Sequence, residues 1–486
     1  MPLEDLPNEV IAEIFVGCLP QSGSYHLADP KKAPLLLTRI CSPWRSLAHE
    51  TPHLWTNLWL EPQLPSSPDR PARSQDECID QYRHWRRHAA QSLPFDLRLS
   101  LASLKHLDVD PSAFWLPLVS TIAENTSNLR NLFIITPEFE YCNLLWRLPN
   151  SMPMLETLYI YSRSANEIKT NDVRSIQAFS QAPALRIAIL DYRPDRRELI
   201  ALPWAQLSHL AVSFPITDTK FRNLLGSCLN LQELTVILDR RVIISDQTPA
   251  RDIHTNLRRL DITFDIHVGQ PSPAIFLLVQ FSALHSLAFR NVTVNGGQHF
   301  QWLQDSPARE HLLRQFYNLR RLKLGFQRLS CEILLEIFKV APQIVELALD
   351  THIVNYVQLL DTLTYVPSTD QRVFLPHLEN FQLYIEVAFE ISPGADIPFS
   401  VESFISMITS RSKSFLVKQP PPFELVPLKQ VYLCIEDRDL DQWLDVEELT
   451  TRADSLAETD NMYVEVAFSQ HKEEWLEQEV GIWEMS

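Results

Sequence analysis

Residues 129–134 read Leu-Arg-Asn-Leu-Phe-Ile and residues 155–160 read Leu-Glu-Thr-Leu-Tyr-Ile, two copies of the form apolar-x-x-apolar-x-apolar. The form recurs at Leu185/Ala188/Leu190, Leu207/Leu210/Val212, Leu231/Leu234/Val236, Leu257/Leu260/Ile262, Leu284/Leu287/Phe289 and Leu319/Leu322/Leu324. It returns at Ile344/Leu347/Leu349, Leu378/Phe381/Leu383 and Leu428/Val431/Leu433. The first eight segments start 26, 30, 22, 24, 26, 27 and 35 residues apart. A fixed apolar pattern at such a period is the mark of a repeated strand-plus-helix unit that buries its apolar side against its neighbours.

Strand parity assigns the directions. The fourth and sixth positions point to one side and bury, and the first apolar residue packs at the turn entering the strand. The fifth and seventh positions then face the opposite, open side. They include Tyr159, Tyr161, Asp191, Asp261, Arg290, Lys323, Asp350, Tyr384 and Tyr432, which are the candidate substrate-binding residues. Tyrosine suits such a face because a large amphipathic ring buries area while losing little rotamer freedom. Helix-like stretches at 114–124, 221–228 and 332–340 lie between segments. Longer spacings of 34 and 50 residues after Ile344 and Leu378 predict insertions.

The chain has 486 residues, too many for one ordinary core unless that core grows by repetition. Glycine is scarce at 9 residues and proline reaches 34, which suits elements that are repeatedly broken and restarted. From Glu436 to Ser486 there are 16 acidic and 3 basic residues, a net of −13, so the rest carries only −4 of the total −17. No broad cationic track for nucleic acid exists outside residues 82–88, Tyr-Arg-His-Trp-Arg-Arg-His, which read as the polar face of a helix carrying Trp85. No apolar run reaches 18 residues, and no basic start precedes an apolar stretch, so neither a membrane span nor a secretory signal is expected. Together with seven scattered cysteines, this predicts an intracellular chain, cytoplasmic or nuclear.

No catalytic motif emerges. A Gly-rich phosphate loop, His-Glu-x-x-His and Gly-x-Ser-x-Gly are all missing, and no histidine has a sequence partner that singles it out. A non-enzymatic protein without metal or cofactor is the expectation. The acidic stretch, with Trp443, Trp475 and Trp483, reads as a cap closing the last unit.

The N-terminus is different. Pro7 opens an apolar helical pattern with Val10, Ile14 and Leu19, widened by Ile11 and Phe15 and stopped at Pro20. Two further short helices are expected around Leu36–Cys41 and Trp44–Ala48, with Pro43 bending the latter. The pattern Leu6-Pro7, Glu9-Val10, Ile14, Leu19-Pro20, Leu36, Ile40-Cys41, Trp44-Arg45, Leu47-Ala48, Pro52, Leu54-Trp55 resembles an F-box of the F-box-like kind, with a 12-residue insert at Gln21–Lys32. The resemblance implies docking onto the small Skp adaptor of cullin-based ubiquitin ligases through Leu6, Pro7, Val10, Ile14, Leu36, Ile40, Cys41 and Trp44. The segments behind it resemble the irregular intracellular leucine-rich repeats that recruit substrates in such proteins. The expected organisation is an α/β solenoid of irregular leucine-rich repeats behind a small all-α F-box-like domain. It divides into the F-box-like domain at 1–60, a linker with a helix at 61–94, the solenoid at 95–435 and the acidic cap at 436–486. The partners implied are the Skp-family adaptor, through it a cullin, and a protein substrate. The alternative is a repeat scaffold whose N-terminal helices merely cap it.

Overall fold

The computed structural model describes residues 6–19, 29–61, 75–100, 111–136, 145, 147–149, 151–162, 176–191, 200–239, 253–265, 279–291, 307–353, 355–367, 373–386, 399–421, 424–436, 446–460 and 462–468. Trp443, Trp475 and Trp483 lie outside these residues. The protein has an α/β fold of parallel strands and helices in two compact units. One comprises residues 1–214 with 227–231, the other residues 215–226 with 232–484.

In the first unit, α1 (Asn8–Gly17), α2 (Leu37–Ile40) and α3 (Ser42–Glu50) precede β1 (Asn57–Leu60) and α4 (Gln75–His88). The strands β2 (Phe95–Ser100), β3 (Leu129–Thr136), β4 (Thr157–Ser162), β5 (Ile187–Asp191) and β6 (His209–Ile216) follow. Each pairs in parallel with the next, beginning with Leu58 opposite Leu97. The ladder therefore starts at β1, ahead of the first segment legible in the sequence.

In the second unit β7 (Glu233–Asp239), β9 (Arg259–Asp265), β11 (Ser286–Asn291), β12 (Arg321–Leu329), β13 (Glu346–Ile353), β14 (Asn380–Glu386), β15 (Gln430–Glu436) and β16 (Tyr463–Phe468) pair in that order, again in parallel. The short β8 (Ile253–His254) and β10 (Val279–Gln280) pair separately. Helices Cys331–Val340, Tyr356–Leu363, Val401–Ser410 and Lys413–Lys418 intervene. Ser330, Asn355, Ser400 and Ser412 each accept a backbone N–H three residues on, satisfying an amide that the first turn leaves open.

The parity reading holds throughout. The first, fourth and sixth positions of all eleven segments are buried, from Leu129, Leu132 and Ile134 to Leu428, Val431 and Leu433. In most segments the N–H of the first apolar residue closes a turn onto the carbonyl three residues before it, as Leu155 does to Met152 (3.2 Å) and Leu319 to Phe316 (3.0 Å). The next residue donates to its equivalent in the preceding segment. Glu156 donates to the carbonyl of Arg130, Arg186 to Glu156, and Ser208 to Arg186. In the second unit the chain runs Arg258 to Gln232, His285 to Arg258 and Arg320 to His285. Equivalent residues thus stack in register, so each segment satisfies the polar backbone that its neighbour exposes. The acidic stretch contributes a helix, Val446–Asp460, and the strand β16.

Candidate functional site

Two surfaces carry the sequence-derived candidates. The first is the N-terminal helical segment. Ile11 and Phe15 of α1, Leu37 of α2 and Ala48 of α3 are buried together with Leu54 and Trp55. The Trp55 indole Nε1–H donates to the Ala48 carbonyl at 2.8 Å. Pro43 sits in the first turn of α3, where its missing N–H costs nothing, so the helix continues to Glu50. The expected kink does not form. Instead the chain turns at Cys41, whose extended backbone separates α2 from α3.

The outward side of this segment is apolar. Val10 is 43% exposed, Ile14 41%, Leu36 41% and Ile40 52%. All four belong to the eight residues assigned above to adaptor docking. Among the other four, Pro7 is exposed and Leu6, Cys41 and Trp44 are partly covered. Trp44 rests against Phe15, with ring centroids 4.8 Å apart. In α1 the neighbours Val10/Ile11 and Ile14/Phe15 divide, one member of each pair facing out and the other in.

The second surface is the outward side of the strands. In the first unit Trp59, Arg98, Phe133 and Tyr159 stand at one register on β1 to β4. The Arg98 guanidinium carbon lies 4.6 Å from the centre of the Trp59 ring. Phe133 and Tyr159 are 5.7 Å apart, and Tyr159 stacks along the strand with Tyr161 at 6.5 Å and 9°. Burial first, then Asp191 and Tyr161, push the Tyr159 phenol up to about 12, so it is a neutral hydrogen-bonding group at any physiological pH. Asp191 stands beside Tyr161 on β5, its carboxyl raised by burial and held partly back by a hydrogen bond with Ser213. Tyr159, Tyr161 and Asp191 are therefore brought together, forming a half-buried aromatic row with one acidic edge.

The other six candidates lie in the second unit and do not form a comparable row. Arg290 is spent in an ion pair with Asp261 on the neighbouring strand, at 2.9 Å. Asp261 is buried, against the expectation that it faces solvent, because that pairing covers it. Tyr384 is buried too, flanked at its own register by Asp350 and by the buried Cys434. Parity sets which side a residue points to, and cover on that side sets whether solvent reaches it. Lys323 and Tyr432 occupy a second outward register, where Tyr432 packs 5.4 Å from Tyr463.

The sequence points to no metal ligands, yet the fold gathers His49 of α3 with His84 and His88 of α4. The signal available beforehand was the i, i+4 spacing of His84 and His88, which places both on one helix face. Among the described residues, no helix is long and apolar enough to cross a membrane. Comparison of the chain with protein-family models gives no match, and comparison with curated proteins gives none either.

Proposed function

We propose that this protein is the substrate-recognition subunit of a Skp–cullin–F-box ubiquitin ligase. In this reading the N-terminal helices are an F-box-like domain that docks the adaptor, and the segments behind them are irregular leucine-rich repeats that hold a protein substrate. The observation that carries it is the apolar stripe of Val10, Ile14, Leu36 and Ile40. These side chains stand in solvent while their neighbours Ile11, Phe15 and Leu37 fill the core. A small helical segment that leaves four large aliphatic side chains uncovered has the character of an interface. The resemblance to the F-box pattern names its partner.

Titrating purified Skp adaptor into the protein by calorimetry tests this directly. Ile14→Asp with Ile40→Asp should weaken binding about a hundredfold, since each change removes roughly 1–3 kcal/mol of apolar contact. Because both positions are exposed, thermal melting should scarcely move. An unmodified protein that binds no adaptor would end this reading.

The alternative is a repeat scaffold capped by its own N-terminal helices. It is favoured by the contact of Trp55 with Trp85 on α4, at 5.0 Å, which seats those helices against the ladder. Capping accounts for the covered side of the helices and leaves the exposed stripe without a purpose.

For substrate capture, the row Trp59, Arg98, Phe133, Tyr159 and Tyr161 fits a polypeptide better than a small molecule, being a half-buried line of rings that runs across four adjacent strands. Tyr159→Ala with Tyr161→Ala should cost at least about 2 kcal/mol of substrate affinity. Comparative affinity capture, with adaptor binding and circular dichroism followed in parallel, reads this out. An unchanged set of captured proteins would place recognition on another face.

A further inference from the structure

His49 on α3 and His84 and His88 on α4 each bring a ring nitrogen to one place, the three nitrogens lying within 4.8 Å of one another. The residues are partly exposed, so an ion can enter. The rings of His49 and His88 are 4.2 Å apart, those of His84 and His88 4.7 Å, and those of His49 and His84 5.7 Å. Trp55 walls one side, its ring 5.2 Å from both His84 and His88.

We propose that these three imidazoles form a site for a divalent transition metal ion of the zinc class, which fastens the N-terminal helical segment to α4. Three lines of chemistry support it. Imidazole is a preferred ligand for zinc, copper and nickel, and three of them with one position left to water is a common zinc coordination set. His88 Nδ1 lies 3.3 Å from the His49 carbonyl, to which it can only donate. Its Nε2 is then left with a free lone pair and a fixed ring orientation, the outer-shell arrangement typical of ligating histidines. Finally, ligation needs neutral rings. Burial, followed by His88, His49 and Arg87, holds His84 down to about 4, and burial lowers His49 and His88 as well.

An ion about 2.0–2.1 Å from each nitrogen in tetrahedral geometry would set the nitrogens roughly 3.4 Å apart. The stacked His49 and His88 rings therefore have to swing open on binding. The site is expected to be weaker than a preformed one for that reason and because Arg45 and Arg87 stand nearby. The i, i+4 pair comes from one helix and the third ligand from another, so the ion would cross-link α3 to α4.

Cobalt(II) serves as the probe, titrated into tag-free, metal-stripped full-length protein. The expected result is visible d–d absorption saturating at one equivalent, competed away by zinc, with a zinc-dependent rise of about 2 °C or more in Tm. His84→Gln with His88→Gln should abolish both signals while the far-ultraviolet circular dichroism stays that of the parent. If the double variant fails to fold, His49→Gln alone should lower cobalt affinity at least about tenfold. No absorption with the parent protein, or equal binding by the variants, would overturn the proposal and leave the three rings as packing around Trp55. The adaptor titration is a separate measurement, so either result can fail without the other.

Discussion

Replacing Arg411 by methionine is expected to destabilise the second unit by about 3–5 kcal/mol. The side chain is fully buried, and no carboxylate among the described residues pairs with it. Its guanidinium is met by carbonyls instead: Nε donates to Leu363 (2.6 Å), Nη1 to Leu375 (2.9 Å) and Nη2 to Phe374 (2.5 Å). Burial lowers its pKa to about 10, which still leaves it charged at neutral pH. One planar fork thus gathers the end of the helix Tyr356–Leu363 and the turn at Phe374–Leu375. Leu375 itself holds a left-handed backbone, φ 51°, that a leucine adopts only under constraint. Methionine fills much of the volume and leaves the Leu363 and Phe374 carbonyls without donors, while that of Leu375 keeps the Leu378 amide at 3.1 Å. Arg411→Lys should recover only part of the loss, because a single ammonium cannot reach three carbonyls in the plane of a guanidinium. Urea denaturation followed by circular dichroism measures both variants. A loss below about 1 kcal/mol for Arg411→Met would show that water replaces the fork at little cost.

Trp55→Ala is expected to cost about 3–5 kcal/mol and to loosen the N-terminal helices. The ring is fully buried, meets Trp85 edge-on at 5.0 Å and hydrogen-bonds the Ala48 carbonyl. The partner ring is tied down as well, since Trp85 Nε1 donates to the Asn57 carbonyl at 3.2 Å, at the start of β1. Removing Trp55 therefore opens a cavity between α3, α4 and the first strand. Trp55→Phe keeps most of the apolar contact and should cost roughly 1–3 kcal/mol, chiefly for the lost bond to the Ala48 carbonyl, which keeps only the longer one from the Thr51 amide at 3.4 Å. Near-ultraviolet circular dichroism and urea unfolding distinguish the two variants. An alanine variant that melts with the parent would mean that these helices fold independently of α4.

How much of this was legible beforehand differs from element to element. The strands were, because a two-residue alternation has only two sides and eleven repetitions leave little freedom in choosing the buried one. The strand β1 was not legible as part of the ladder. Trp55, Leu58 and Leu60 do repeat the apolar spacing, but Trp55 also belongs to the F-box-like pattern of the N-terminus, and the pairing of β1 with β2 spans 62–74, a stretch that carries no repeat signal. The aromatic row of the first unit was half visible. Parity gave Tyr159 and Tyr161 their direction, while Trp59, Arg98 and Phe133 join them only through the register of adjacent strands.

By itself, then, the sequence determined the alternation of parallel strands and helices and the buried side of every segment, because local periodicity governs both. Tertiary structure decided the rest. On α1 the adjacent pairs Val10/Ile11 and Ile14/Phe15 are all apolar, so periodicity allows either member of a pair to face inward. Packing against Trp44 and the buried Leu37 and Ala48 selects Ile11 and Phe15 and leaves Val10 and Ile14 outside. Asp261 and Tyr384 have outward parity and are buried by what their neighbouring strands bring beside them. Arg411 reads in sequence like any surface arginine, and only the return of Leu363, Phe374 and Leu375 to its side makes it a core residue. His49 meets His84 and His88 because α3 and α4 both pack around Trp55, a convergence of residues 35 and more apart that no local pattern encodes.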